Sequence, residues 1–215
     1  MKITLTNAGK RFNRDWIFRH LSYQFISGKS YAITGPNGSG KSTLLQAIAG
    51  AMAINEGAIS YELTDKKSPS IVNGQPLTDS IYNQIAFCAP YLELIEEMTL
   101  QEFLEFHRVF KPFFTGMTIT QIMEAVHLSQ SAHKQIREFS SGMKQRVKLA
   151  QSILLDTPIL LLDEPCTNLD LDGIEMYHQL IRDYATNRTV IVSSNDVQEY
   201  NFCEQKIDIT DFKKI

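Results

Sequence analysis

An α/β fold is predicted by two short apolar strands and the helix between them. Ile159-Leu160-Leu161-Leu162 and Thr189-Val190-Ile191-Val192-Ser193 lack polar alternation, as strands buried on both faces require, and a helical pattern over roughly Leu171 to Ala185 separates them. Strands alternating with helices place both runs in a parallel core sheet. Ahead of that core, Ile3 and Leu5, then Ile17, Leu21, Tyr23 and Phe25, alternate with polar residues and predict an antiparallel β layer. Ser27-Gly28-Lys29 reads as a turn into a short strand, Tyr31-Ala32-Ile33, and Leu44 to Ala49 as an apolar helix. After Gly57 a strand-rich stretch reaches Ile85-Ala86-Phe87-Cys88, broken by the turn-like Val72-Asn73-Gly74-Gln75-Pro76.

The pattern becomes helical from Thr99. Thr99-Leu100-Gln101-Glu102 has the capping-box form, and Phe103, Phe106 and Phe110 follow at helical spacing until Pro112. Phe113 and Phe114 extend this aromatic group, which serves as core where buried and as a docking patch where exposed. Thr118-Ile119-Thr120-Gln121 opens a second capped helix, and a third runs from Ser140 to about Leu155. With no repeat and no long Pro/Gly/Ser linker, one compact unit with insertions is expected.

Composition narrows the function. The 215 residues are 43% hydrophobic and 21% charged, which suits an ordinary buried core. Against 24 Asp and Glu, 21 Lys and Arg leave a formal charge of −3, so no nucleic-acid partner is expected from bulk electrostatics. The apolar runs near the middle are far shorter than the roughly 18 residues that cross a bilayer. The start, Met1-Lys2-Ile3-Thr4-Leu5-Thr6, does not read as a signal peptide, so a cytoplasmic location is expected. Cys88, Cys166 and Cys203 form no C-x-x-C pair, and neither a disulfide framework nor a zinc site is indicated.

Two motifs carry chemistry. Gly35-Pro36-Asn37-Gly38-Ser39-Gly40-Lys41-Ser42 follows a predicted strand and precedes a predicted helix, the context that G-x-x-x-x-G-K-[ST] needs to bind phosphate. Its glycines let backbone N–H groups curl around a polyphosphate, Lys41 supplies a positive charge, and Ser42 offers a hydroxyl to Mg²⁺. The strand Ile159 to Leu162 then delivers Asp163-Glu164-Pro165, where Asp163 would hold Mg²⁺ and Glu164 would polarise an attacking water.

Phe139-Ser140-Ser141-Gly142-Met143-Lys144-Gln145-Arg146 resembles the signature motif of ATP-binding cassette (ABC) proteins, the nucleotide-binding subunits of ABC transporters. The resemblance covers almost the whole chain and is similar to exporter-type systems in its signature. It implies a single ATP-binding domain over 1–215, with a β layer and α/β core in 1–89 and 141–215 and a helical lobe in 90–140. It further implies ATP held by Gly35, Pro36, Asn37, Gly38, Ser39, Gly40, Lys41, Ser42 and Thr43, with Phe12 stacked on adenine and Trp16 as the rival platform. Ser140, Ser141 and Gly142 would cap the ATP of a second subunit in a head-to-tail dimer. Cys166-Thr167-Asn168-Leu169-Asp170 resembles the loop that bridges the two subunits. A separate transmembrane permease is the implied partner, which would hold the chain at the inner face of the membrane.

Two positions depart from the family pattern. Pro90 stands where a Gln usually contacts Mg²⁺ and water, and Asn195 stands where a His usually bonds the γ-phosphate. Asn can donate through its amide but carries no charge, and Tyr91 or Glu93 could replace the missing Gln. Met143 replaces a frequent Gln, a milder change. These departures lead to the expectation of retained ATP binding with slow or partner-dependent hydrolysis. The alternatives are a soluble ABC ATPase of a non-transport system and an ATP-gated switch.

Overall fold

The computed structural model describes residues 1–62, 70–72 and 79–213. The turn expected at Val72–Pro76 therefore lies, from residue 73, outside the described residues. The chain divides into two compact units, one of Met1–Ile85, Pro158–Asp163 and Asn187–Ile215, the other of Ala86–Thr157 and Glu164–Thr186.

In the first unit, β1 (Lys2–Phe12) and β2 (Asp15–Phe25) form the predicted antiparallel hairpin, in a sheet ordered β2-β1-β4-β5 with β4 (Glu56–Glu62) and β5 (Ser70–Val72). The alternating residues Ile3, Leu5, Leu21 and Phe25 are buried. Within this unit the parallel strands stand in the order β7-β8-β3-β9, with β3 (Ser30–Thr34), β7 (Ile159–Asp163), β8 (Thr189–Ser193) and β9 (Gln205–Asp208). Every residue of β7 and β8 is buried, which is why both lack a polar face. Strand β9 left no such signal in the sequence, because Ile207 is its one buried residue and it closes an edge. Helix α1 (Lys41–Ile48) starts at Lys41, ahead of the apolar pattern, because its first turn is polar and its N-cap is Gly40. Short elements α2 (Asp79–Tyr82) and α7 (Val197–Tyr200) complete the unit, and β6 (Ile85–Cys88) carries the chain out of it.

The second unit holds α3 (Leu100–Phe110), α4 (Ile119–Ala125), α5 (Ser141–Ile153) and α6 (Leu171–Tyr184). Both predicted capping boxes form: Thr99 with Glu102, and Thr118 with Gln121, each side chain accepting from the other residue's backbone N–H. The helices pack around Leu104, Ile122, Val126, Ile136, Val147 and Leu149, all buried. The aromatic group divides: Phe103 and Phe113 are core, whereas Phe106 and Phe110 are exposed and meet edge to face at 5.0 Å. Helices α3 and α4 fall within 90–140, and the unit also takes in α5 and α6. Among the described residues, no helix is long and apolar enough to cross a membrane.

Candidate functional site

The loop after β3 has the shape its sequence requires. Gly35, Gly38 and Gly40 have φ of 141°, 73° and 107°, left-handed values that turn successive backbone N–H groups to one side. A Cβ on Gly40 would stand 2.3 Å from Ile17 Cγ2, so glycine is needed there for space as well as for conformation. Lys41 is buried, with 4% of its surface exposed, and its ammonium donates to the loop's own carbonyls, Gly35 O at 2.9 Å and Pro36 O at 3.3 Å. Among the described residues no carboxylate pairs with it. A buried ammonium facing only neutral carbonyls is an incomplete arrangement that an anion would complete. Ser39 Oγ is likewise buried without a hydrogen-bond partner among the described residues.

Strand register gathers the other polar groups at this corner. Strands β7, β8 and β3 are parallel, with Asp163 opposite Ser193 and Ser193 opposite Ile33, so all three release their chains at one carboxyl edge. Such an edge is where open α/β sheets bind ligands. There Ser42 Oγ donates to Asp163 Oδ1 at 3.1 Å, and Asp163 is 1% exposed. A hydroxyl and a carboxylate in contact beside a polyphosphate cradle suit Mg²⁺, which takes one or two protein oxygens and fills its octahedron with phosphate oxygens and water. Asn195 follows β8, and its Nδ2 donates to Asn37 Oδ1 in the loop at 3.1 Å.

The two aromatic platforms are not equivalent. Trp16 has the Arg19 guanidinium 4.4 Å from its ring centroid, fixed by a bidentate pair with Glu56, and Arg11 at 5.4 Å. Phe12 is 47% exposed and, among the described residues, carries Lys10 Nζ, 5.0 Å from its centroid and bonded to Ala53 O. The surface open to a flat ligand is therefore that of Phe12.

The signature residues lie in the second unit. Ser140 caps α5 by accepting from Met143 N, and Ser140, Ser141 and Gly142 line a cleft of about 460 Å³ with His127, Arg146 and Asn168. A Cβ on Gly142 would stand 2.9 Å from Asn168 O, so this glycine lets the loop after β7 approach α5. Arg146 donates to Asp170 at 3.0 Å and to Asp172 at 2.9 Å, and His127 Nδ1 lies 3.2 Å from Asp172. The Gly173 N–H and Arg146 hold Asp170 below the usual carboxylate range, and Arg146 and His127 do the same for Asp172. Glu164 has φ 44°, a left-handed value uncommon for a residue with a side chain and frequent at functional sites. Pro90 offers no side-chain ligand, and its carbonyl accepts from Lys148 Nζ on α5.

The structure thus brings Lys41, Ser42, Asp163, Asn37 and Asn195 together in the first unit and Ser140, Ser141, Gly142 and Asn168 together in the second. Sequence reasoning missed the Asn37–Asn195 bond, the Lys148–Pro90 bond and the Arg146–His127 group around Asp172. Each joins residues far apart in the chain, and the β3–β8 register is the signal that would have revealed the first.

A glycine loop between β3 and α1 at the carboxyl edge of a parallel sheet defines an α/β phosphate-loop protein. Residues 18–167 match the family model described as ABC transporter, and the chain belongs to that family of ATPases. It is 29% identical over 192 residues to the putative ABC transporter ATP-binding protein AlbC of Bacillus subtilis (strain 168), covering 87% of this chain and 79% of that one. It is 26% identical to the lantibiotic transport ATP-binding protein SrtF of Streptococcus pyogenes, over 92% of this chain and 81% of that one. In fold it is similar to the ATP-binding cassette MJ0796, solved as a dimer in a post-hydrolysis state with ADP and Pi, with a TM-score of 0.79 at 23% identity over 96% of this chain and 94% of that one.

Proposed function

We propose that this chain is the ATP-binding and ATP-hydrolysing subunit of a membrane transporter, and that it works as one ATP-binding domain with 90–140 as its helical lobe. The observation that carries the reading is the buried Lys41 ammonium, without a counter-charge among the described residues, beside the Ser42–Asp163 pair. Backbone N–H groups of Gly38 to Thr43 would bind the inner phosphates, and Lys41 would move from the Gly35 and Pro36 carbonyls to phosphate oxygens. Phe12 would stack on adenine. Ser42 and Asp163 would hold Mg²⁺, which when bound neutralises charge on the β- and γ-phosphates. Glu164 would accept the proton of the attacking water.

In this reading two copies associate head to tail, so that Ser140, Ser141 and Gly142 of one copy cap the nucleotide of the other, with Asp170 near the junction. Homology to ATP-binding proteins named for transport supports a permease on a separate chain, which would keep this subunit at the inner face of the membrane. The cleft of about 680 Å³ lined by Pro90, Tyr91, Glu93, Glu96 and Glu97 is the candidate permease surface. Charge reversal at Glu93, Glu96 and Glu97 is expected to weaken co-purification with a membrane partner, and an unchanged yield would rule that surface out.

The deciding measurement is phosphate release from Mg-ATP by the purified chain beside Glu164→Gln. Turnover lost in the variant supports the motor reading. ATP binding without turnover in either protein would favour an ATP-gated switch, a reading motivated by Pro90 and Asn195. Pro90→Gln with Asn195→His is expected to raise turnover, and an unchanged rate would remove those positions as its cause.

A further inference from the structure

We infer that Gln145, on helix α5, is a positioning residue for Glu164: its side-chain amide holds the loop that follows β7 and so fixes where the Glu164 carboxylate stands. The inference rests on the hydrolytic reading of Glu164 above and deepens it.

Gln145 is 2% exposed, and a polar side chain buried to that degree costs stability unless it is bonded. Val147, Leu149 and Ala150 on the same helix are apolar core, so packing alone gives no reason for a carboxamide there. Its Nε2 donates to Pro165 O at 2.7 Å. The ring of Pro165 fixes φ and removes the N–H, which leaves that carbonyl as the residue's one main-chain polar group. With φ set by the ring and the carbonyl held by Gln145, the peptide that follows Glu164 has little freedom left.

The loop needs such a hold. Glu164 and Asn168 have φ of 44° and 64°, left-handed values that residues with side chains keep where their surroundings impose them. Within the loop, Thr167 N donates to Glu164 O at 3.1 Å and Leu169 N to Cys166 O at 3.0 Å. Helix α5 adds three ties from one face, since positions i, i+3 and i+4 of a helix are neighbours. Gly142 lets Asn168 O approach, Gln145 binds Pro165 O, and Arg146 binds Asp170. All of these residues lie in the second unit. Of the three ties, that of Gln145 is nearest to Glu164, one residue away. A displacement of about 1 Å in a reacting group can cost on the order of 100-fold in rate, so the loss of this tie should be felt in turnover.

The test replaces Gln145 in the full chain by Met, which keeps the length and shape of the side chain and loses the donor. Native-state amide exchange should quicken about tenfold at Thr167, whose N–H bonds the Glu164 carbonyl, as the loss of one buried hydrogen bond implies. It should stay unchanged at Leu154, whose N–H bonds Ala150 O at the far end of α5. Turnover of Mg-ATP should fall at least about tenfold in kcat, with AMP-PNP affinity by calorimetry within about twofold of wild type. Gln145→Glu, which sets a carboxylate oxygen against the Pro165 carbonyl, should lower kcat at least as far. Unchanged exchange at Thr167 in the Met variant would overturn the inference. So would equal acceleration at Leu154, which marks a general loss of stability, or a loss of AMP-PNP affinity as large as the loss in kcat. A wild-type chain that binds AMP-PNP and turns over no ATP would sink the hydrolytic reading of Glu164, and the exchange at Thr167 against Leu154 would then decide the tie by itself.

Discussion

The phosphate loop of the first unit carries one cation and the signature helix of the second carries three, and the two regions place them differently. Lys41 is buried against neutral carbonyls. On α5, by contrast, Lys144 pairs with Glu96, Arg146 with Asp170 and Asp172, and Lys148 with the Pro90 carbonyl. A buried charge without a counter-ion costs several kcal/mol, whereas a solvent-facing ion pair contributes about 0–1 kcal/mol. The first region is thus held in a state that an anion improves. In the second, Lys144 and Arg146 are already paired with carboxylates, and Lys148, like Lys41, rests on a main-chain carbonyl.

The largest effect should come from separating these two kinds of cation. Lys41→Ala should reduce AMP-PNP affinity of the isolated chain at least about 100-fold, since a desolvated charge-assisted contact is lost. Arg146→Ala should leave that affinity within about twofold. Similar losses in calorimetry for both variants would erase the distinction.

Next in size is a pair of glycine substitutions that asks how rigid the loop is. Gly40→Ala meets both a left-handed φ and Ile17, and should lower stability by about 3 kcal/mol. Gly38→Ala meets no atom within 4 Å and should cost about 1 kcal/mol. Equal melting temperatures for the two would mean that the loop relaxes around the added methyl.

A smaller effect belongs to α3 in the second unit. Burial, with Lys111 nearby, pushes His107 down to about 4, and its Nδ1 has no hydrogen-bond partner among the described residues. Between that value and the ordinary 6.5 the unfolded chain binds the extra proton, so stability is present above pH 6.5 and is lost as pH falls toward about 4. The loss should be on the order of 2 kcal/mol, and His107→Phe should abolish that part of the profile. A variant whose pH dependence matched the wild type would place the titration elsewhere.

The smallest effect concerns the aspartates. Asp170 and Asp172 titrate below the usual carboxylate range, so their contribution is present above the ordinary pKa and fades as pH drops through the lowered values. Arg146→Ala should flatten the thermal stability profile below about pH 4 and leave it parallel to wild type at neutral pH.

What the sequence disclosed followed from distance along the chain. The phosphate loop, the capping boxes at Thr99 and Thr118, the Ser140 cap and the buried strands are patterns of a few neighbouring residues, and each formed where its pattern stood. Asn37 with Asn195, and Lys148 with Pro90, depend on pairing between remote segments, which no local pattern encodes. Strand β9 was hidden for a different reason: an edge strand with one buried side chain needs no apolar run. Phe12 and Trp16 were indistinguishable as ring types, and what separates them is the guanidinium that Glu56 fixes over Trp16.

The bond from Lys148 to position 90 ends on a main-chain oxygen. Every amino acid has that oxygen, so the attachment is blind to the side chain carried there. Position 90 is therefore a socket: its side chain can be exchanged without loosening the anchor to α5, which makes it a natural place to add or remove chemistry while the surrounding architecture stays constant.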